Sequence, residues 1–223
     1  QGQMGNGGLQ YKNASPKLVP GLPRIHQLST GYYHTVALAE EGEWYAWGCN
    51  EQKQLGAAND EQIKQPRPLS SLVPELASAK IRSIEGGYGH TALLLEDGRL
   101  LTMGNHSEGQ RALDPELDEV PTLSSVPLPG PVEAIAAGSH HTLAVVRGAV
   151  YGFGSDEFGQ VRGLGEPEDE TRSWMPKEVT GLPKDDPVVL VSAGNCHSAA
   201  QTASGRVFLW GCGGNGQTGD ATL

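Results

Sequence analysis

The chain has 223 residues with 16 Lys and Arg against 26 Asp and Glu, a formal net charge of −10 and a pI near 5.1. That balance argues against general nucleic-acid binding, which needs a basic surface, and no run approaches the roughly 18 apolar residues of a membrane-crossing helix, so no membrane insertion is expected. The 31 Gly and 15 Pro, about a fifth of the residues, indicate many tight turns.

In chain order, a proline-led apolar stretch, Pro16 to Val19, precedes a β-type run from Ile25 to Leu28. Gly31-Tyr-Tyr-His34 then opens a hairpin, in which His34 to Leu38 and Glu43 to Trp47 flank the turn Glu40-Glu41-Gly42. Six residues past Gly42 stands Gly48, and six further on stands Gln54. The same order recurs with Pro66 to Leu69, Ile81 to Ile84, Gly87-Tyr-Gly-His90, Gly98, Gly104 and Gln110. Here the turn is Glu96-Asp97-Gly98, and Asp-Gly is a strong hairpin signal because such turns need positive φ. A third unit runs through Pro121 to Leu123, Val132 to Ile135, Gly138-Ser-His-His141, Gly148, Gly154 and Gln160. The fourth has Pro176 to Val179, Val188 to Val191, Gly194-Asn-Cys-His197, Gly205, Gly211 and Gln217. A large apolar residue precedes the later glycine each time: Trp47, Met103, Phe153 and Trp210.

Constant spacing within the unit and variable spacing between units describe a rigid hairpin joined by loops that absorb length changes. About four short antiparallel strands per unit of roughly 50 residues predict an all-β chain, a β-propeller of four-stranded antiparallel blades with about four blades present. Residues 1–223 read as a single partial propeller, with repeat units at approximately 6–56, 57–112, 113–162 and 163–219. The repeated glycines Gly31, Gly48, Gly87, Gly104, Gly138, Gly154, Gly194 and Gly211 are expected to be structural, because tight turns and close approach of strands favour a residue without Cβ. One insertion, between Gln54 and Gly87, predicts a short helix over Leu72 to Ala79.

These residues resemble the regulator of chromosome condensation (RCC1-like) repeat family. Its pattern, Gly-x-x-His, apolar strand, turn glycine and Trp-Gly-x-Asn-x-x-Gly-Gln-Leu-Gly, is met by Trp47-Gly-Cys-Asn50 through Gln54-Leu-Gly56 and, less fully, by Trp210-Gly-Cys-Gly through Gly216-Gln-Thr-Gly219. Departures are Lys53 in place of the glycine before glutamine, and Gln110-Arg-Ala and Gln160-Val-Arg without the final Leu-Gly. The resemblance implies a ring of seven blades in complete members, so the chain reads as part of a longer propeller whose remainder, or a second chain, closes the ring. It also implies a choice of activities. One is a protein-interaction module binding through loops on one face; the alternative is guanine-nucleotide exchange on Ran or another small GTPase, with no covalent chemistry. Ultraviolet-B photoreception fits poorly: it relies on Gly-Trp-Arg-His-Thr elements, whereas the slots here hold Tyr-Tyr, Tyr-Gly, Ser-His and Asn-Cys.

His34, His90, His141 and His197 recur once per unit, which suits a structural hydrogen bond and not a shared metal site, so neither metal nor cofactor is expected. His26, His106 and His140 fall outside the register. Cys49, Cys196 and Cys212 form no C-x-x-C pair and read as reduced thiols in a cytoplasmic or nuclear protein. Candidate partner-binding residues lie in an acidic insertion ending in tryptophan, Glu166, Glu168, Asp169, Glu170, Arg172 and Trp174, which would suit a basic protein surface. Charge is uneven: residues 1–82 sum to +1 and residues 83–223 to −11.

Overall fold

The structure, a computed structural model, describes residues 2–8, 15–163 and 171–219. Four antiparallel sheets follow one another along the chain. The first orders β1 (Ile25–Thr30), β2 (His34–Ala39), β3 (Trp44–Cys49) and β4 (Gln62–Pro68). The second orders β5 (Ile81–Gly86), β6 (His90–Leu95), β7 (Leu100–Gly104) and β8 (Leu123–Ser125). The third orders β9 (Val132–Ala137), β10 (His141–Val146), β11 (Ala149–Ser155) and β12 (Arg172–Glu178). Among the described residues the fourth has three strands, β13 (Val188–Ala193), β14 (His197–Thr202) and β15 (Val207–Gly211).

The innermost strands β1, β5, β9 and β13 contact one another in succession, so the sheets stand side by side as propeller blades. Each outer strand lies in the proline-bearing stretch after the glutamine turn, where its position on a sheet edge tolerates the missing N–H of Pro66, Pro68 or Pro176. Residues 16–19 form no strand.

The hydrophobic core is a series of layers between blades. One holds Trp44, Trp47 and Leu55 of the first blade against Ile84, Leu93 and Met103 of the second. The next sets Leu94 and Leu100 against Ile135, Ala144 and Phe153, and the last sets Leu143 and Val150 against Val188 and Val191. This explains why β2, β6 and β10 are buried at all six positions and show no inside-outside alternation: both faces meet a neighbouring sheet. In β14 alternate residues are buried, because among the described residues one face alone is covered.

Register places each histidine opposite a glycine, His34 with Gly48, His90 with Gly104, His141 with Gly154 and His197 with Gly211. Gly104 has φ +101°, and a Cβ there would sit 2.8 Å from the His90 Cα, so both conformation and space exclude a side chain.

Two expectations are corrected. The helix over 72–79 is instead one helical turn, α1 (Leu69–Leu72), and a 3-10 turn at Pro74–Leu76; Pro74 has no N–H to continue α1 and starts the tighter turn. Cys196 and Cys212 are not free thiols but a disulfide, with Cα atoms 5.5 Å apart. They flank the His197–Gly211 pair on β14 and β15, so register sets them directly opposite, a proximity invisible at a separation of 16 residues. Cys49 is buried and free.

Candidate functional site

Two sets of connections emerge at the same end of every blade: the Gly-x-x-His turns near the axis and, farther out, the loops that leave β3, β7 and β11. The turns touch one another through backbone. Tyr32 N–H donates to the Gly87 carbonyl at 3.0 Å, Tyr88 N–H to the Ser139 carbonyl at 3.0 Å, and Ser139 N–H to the Gly194 carbonyl at 3.1 Å. A Cβ on Gly138 would lie 2.6 Å from the Gly194 oxygen, so the first glycine of the motif permits this spacing.

Beneath the turns the repeated histidine reaches the next blade through Nε2 in three blades, while Nδ1 of His34, His90 and His141 is buried without a hydrogen-bond partner among the described residues. Thr91 Oγ1 donates to the Gln54 carbonyl at 2.6 Å and lies 2.9 Å from His34 Nε2. Thr142 Oγ1 donates to the Gln110 carbonyl and meets His90 Nε2, both at 3.0 Å; Ser198 Oγ donates to the Gln160 carbonyl at 2.8 Å and meets His141 Nε2 at 3.0 Å. Since each hydroxyl has one proton and gives it to the carbonyl, the imidazole Nε2–H is the donor to the hydroxyl oxygen. The rings are neutral. Burial pushes His34 and His141 down to about 4 and His90 down to about 3. The glutamines also shape the loops, because Gln54, Gln110, Gln160 and Gln217 each accept, through Oε1, the N–H two residues earlier.

On the solvent side of the turns stands an aromatic cluster. Tyr32 and Tyr88 have ring centroids 4.7 Å apart, Tyr33 packs edge-on to both at 4.6 and 5.5 Å, and His140 lies 5.1 Å from Tyr88. Tyr32 is 63% and Tyr88 37% exposed. The depression between the turns has a volume of about 240 Å³ and is otherwise lined by glycine, alanine, Thr30 and Ser139. His140, out of register in the sequence, is thus part of the axial surface.

The surrounding loops hold the charge. The described residues of these loops, 50–61, 105–122, 156–163 and 171, contain ten Asp and Glu against three Lys and Arg, a balance of −7 where the whole chain has −10. The connections at the opposite end, residues 40–43, 69–80, 96–99, 126–131, 147–148, 179–187 and 203–206, balance at −3. Three loop acids are paired: Asp60 with Arg67 at 2.8 Å, Glu108 with Arg172 at 2.6 Å, and buried Asp156 with Arg162. Seven others, Glu51, Glu61, Asp114, Glu116, Asp118, Glu119 and Glu157, are exposed with no ion pair among the described residues. Phe158, 52% exposed, lies beside Glu157.

Of the residues singled out in the sequence, Arg172 and Trp174 lie on β12. Arg172 spans to Glu108 of the preceding blade, and half-buried Trp174 packs by its Cα near Gly109. Glu166, Glu168, Asp169 and Glu170 lie outside the described residues. Sequence reasoning passed over Tyr32, Tyr88 and His140; the signal was the variable pair inside Gly-x-x-His, since those positions point away from the repeated core.

Arg111, in the slot where the first unit has Leu55, is 1% exposed. It donates to the carbonyls of Gly104 at 3.1 Å and Pro121 at 2.6 Å and to Ser124 Oγ at 3.0 Å, pinning the acidic loop onto β7. Burial pushes its guanidinium down to about 10, still charged at neutral pH. Among the described residues no three of His, Cys, Asp and Glu gather as metal ligands would, and no helix is long and apolar enough to cross a membrane.

Blades in series, interlocked by imidazole and hydroxyl groups and presenting one loop face, define a repeat-built β-propeller. The regulator of chromosome condensation (RCC1) repeat matches residues 41–94, 97–145 and 147–201, and a second form of it matches 25–54, 81–110 and 188–217. The chain belongs to this family. It is 34% identical over 171 residues to the secretion-regulating guanine nucleotide exchange factor of Mus musculus, covering 76% of this chain and 35% of that protein. To Protein pim1 of Schizosaccharomyces pombe it is 31% identical over 236 residues, covering 98% of this chain and 42% of that protein. Prp20p of Saccharomyces cerevisiae, solved in a study of its binding to Gsp1p and histones, superposes with a TM-score of 0.75 at 27% identity, over 92% of this chain and 49% of that one. The chain thus spans less than half the length of these relatives.

Proposed function

We propose that the chain is a protein-interaction module whose loop face takes a partner with a basic surface. The observation that carries this reading is the concentration of the chain's net negative charge in the loops at one end, around exposed tyrosines. Such a field steers a basic partner and disfavours acidic ones, while aromatic side chains supply the desolvated anchor that charge alone does not. The study of Prp20p names histones, basic proteins, among what it binds, which supports the same chemistry here. The test is titration of a short synthetic peptide alternating Arg and Gly, at several salt concentrations, into the chain and into a variant with Glu51, Glu116, Glu119 and Glu157 changed to Gln. We expect salt-sensitive binding, weakened about tenfold or more in the variant. Equal binding to both would sink the reading.

A second reading, guanine-nucleotide exchange on a small GTPase, is favoured by the identity to the mouse exchange factor. Exchange works by binding the nucleotide-free state better than the loaded one. It predicts a complex with nucleotide-free GTPase that GTP dissolves, and faster release of a fluorescent guanine nucleotide; a complex indifferent to nucleotide identifies a scaffold. We infer a cytoplasmic or nuclear setting. Cellular thiol pools there reduce most disulfides, so the Cys196–Cys212 bond of the structure is expected to open in intact cells, where thiol trapping would find both cysteines alkylated; a pair that stays oxidised would argue for another compartment.

A further inference from the structure

We propose that the axial depression between the Gly-x-x-His turns, lined by Tyr32 and Tyr88, is a subsite for one cationic side chain, Arg or Lys, of the docked partner. This inference rests on the acidic loop face being the partner's landing surface. Three observations carry it. Tyr88 contacts the rings of Tyr32 at 4.7 Å and His140 at 5.1 Å, and Tyr32, 63% exposed, is the more open of the pair, so its ring offers π-electron surface to solvent at the centre of the face. The electron-rich face of an aromatic ring attracts a guanidinium or ammonium group, the more so when contact removes water. No cation of the chain occupies the place among the described residues; the Arg that sits over a ring is Arg206, 5.8 Å from the centroid of Phe208, at the other end of the fourth blade.

The depression is also the right size and polarity for a single side chain. At about 240 Å³ it is below the roughly 300–1,000 Å³ of sites that take small molecules, and its floor is glycine and alanine backbone. The acids begin one ring outward: Gln52, next to Glu51, lies against the Gly89 turn that carries Tyr88. A carboxylate or phosphate entering would cross the region of greatest negative charge, while a cation gains from the rim on approach and from the rings once seated.

The test compares the Arg-Gly peptide with the same peptide in which citrulline replaces arginine, an isostere lacking charge. Each is titrated by calorimetry into the chain, Tyr32→Leu/Tyr88→Leu, Tyr32→Phe/Tyr88→Phe and the four-fold Glu→Gln variant. Expected are a loss of about five- to twentyfold for the arginine peptide with the leucine pair, little loss with the phenylalanine pair, and no further loss for the citrulline peptide with the leucine pair. Equal losses for arginine and citrulline peptides, or none for either, would overturn the cation subsite. If the arginine peptide responds to Glu→Gln but not to the tyrosine changes, the subsite fails while the acidic face stands. If the peptide binds neither the unaltered chain nor the variants, the underlying reading has failed with it.

Discussion

His90 Nε2 and Thr142 Oγ1 lie 3.0 Å apart across the boundary between the second and third blades, and the same hydroxyl donates to the Gln110 carbonyl. One side chain therefore satisfies a buried imidazole proton and a buried carbonyl oxygen from two different parts of the preceding blade. Thr142→Val keeps the shape and leaves both groups without a partner. The expected cost is about 2–4 kcal/mol, read as a lower urea midpoint with unchanged slope. A change below roughly 0.5 kcal/mol would mean that water or a shifted backbone replaces the hydroxyl.

The three buried imidazoles make stability depend on pH in a set direction. Their folded pKa values, about 4 for His34 and His141 and about 3 for His90, lie below the ordinary 6.5, so the unfolded chain binds more protons. Their stabilising effect is complete above pH 6.5 and is lost as pH falls from there toward 4, at about 1.4 kcal/mol per pH unit for each histidine. Urea midpoints measured from pH 7.5 to 4.5 should fall steeply. His34→Gln should make the fall shallower by about one third of the histidine contribution, and a midpoint flat to pH 5 would contradict neutral rings.

Gly42 and Gly104 both have positive φ, +92° and +101°, yet their surroundings differ. Nothing lies within 4 Å of a Cβ on Gly42, so Gly42→Ala carries the conformational cost alone, about 1–2 kcal/mol. On Gly104 the Cβ would meet the Gly89 oxygen, the His90 Cα at 2.8 Å and the Gln54 Cα at 3.0 Å, all main-chain neighbours or part of the inter-blade contact. Gly104→Ala should abolish cooperative unfolding or yield insoluble chain. Equal thermal midpoints for the two variants would show that the β7 terminus relaxes freely.

Arg111 bridges Gly104, Pro121 and Ser124 with one planar group, a reach that lysine's single ammonium does not reproduce. Arg111→Lys should lower stability by roughly 2–3 kcal/mol. It should also raise amide exchange in residues 113–122 above that of the other loops. Unchanged exchange in that loop would show that the guanidinium is not what holds it.

The glycine, histidine and glutamine register was legible because every copy answers the same steric and hydrogen-bonding demand. His34, His90 and His141 each meet a Thr or Ser of the next blade, and Gln54, Gln110, Gln160 and Gln217 each fold back on their own turn. Repetition turned those demands into a period that could be read without coordinates. The short helix was misplaced because one turn of helix leaves almost no periodic signal, and Pro74 merely moved where it stopped. The Cys196–Cys212 pair was missed because no motif marks it; only the pairing of β14 with β15 sets those side chains opposite each other.

The amino-acid order by itself determined the repeated blade and the all-β class, since these follow from local turn chemistry and short apolar runs repeated four times at fixed spacing. What the tertiary structure alone decided is which variable residues share a surface. Tyr32, Tyr88 and His140 are separated by 56 and 52 residues in the chain, yet their rings stack because the turns that carry them converge on one axis. The same convergence gathers three acidic loops at one end. Backbone contacts between glycines bring the turns that close, and such contacts carry no side-chain pattern for a sequence to display.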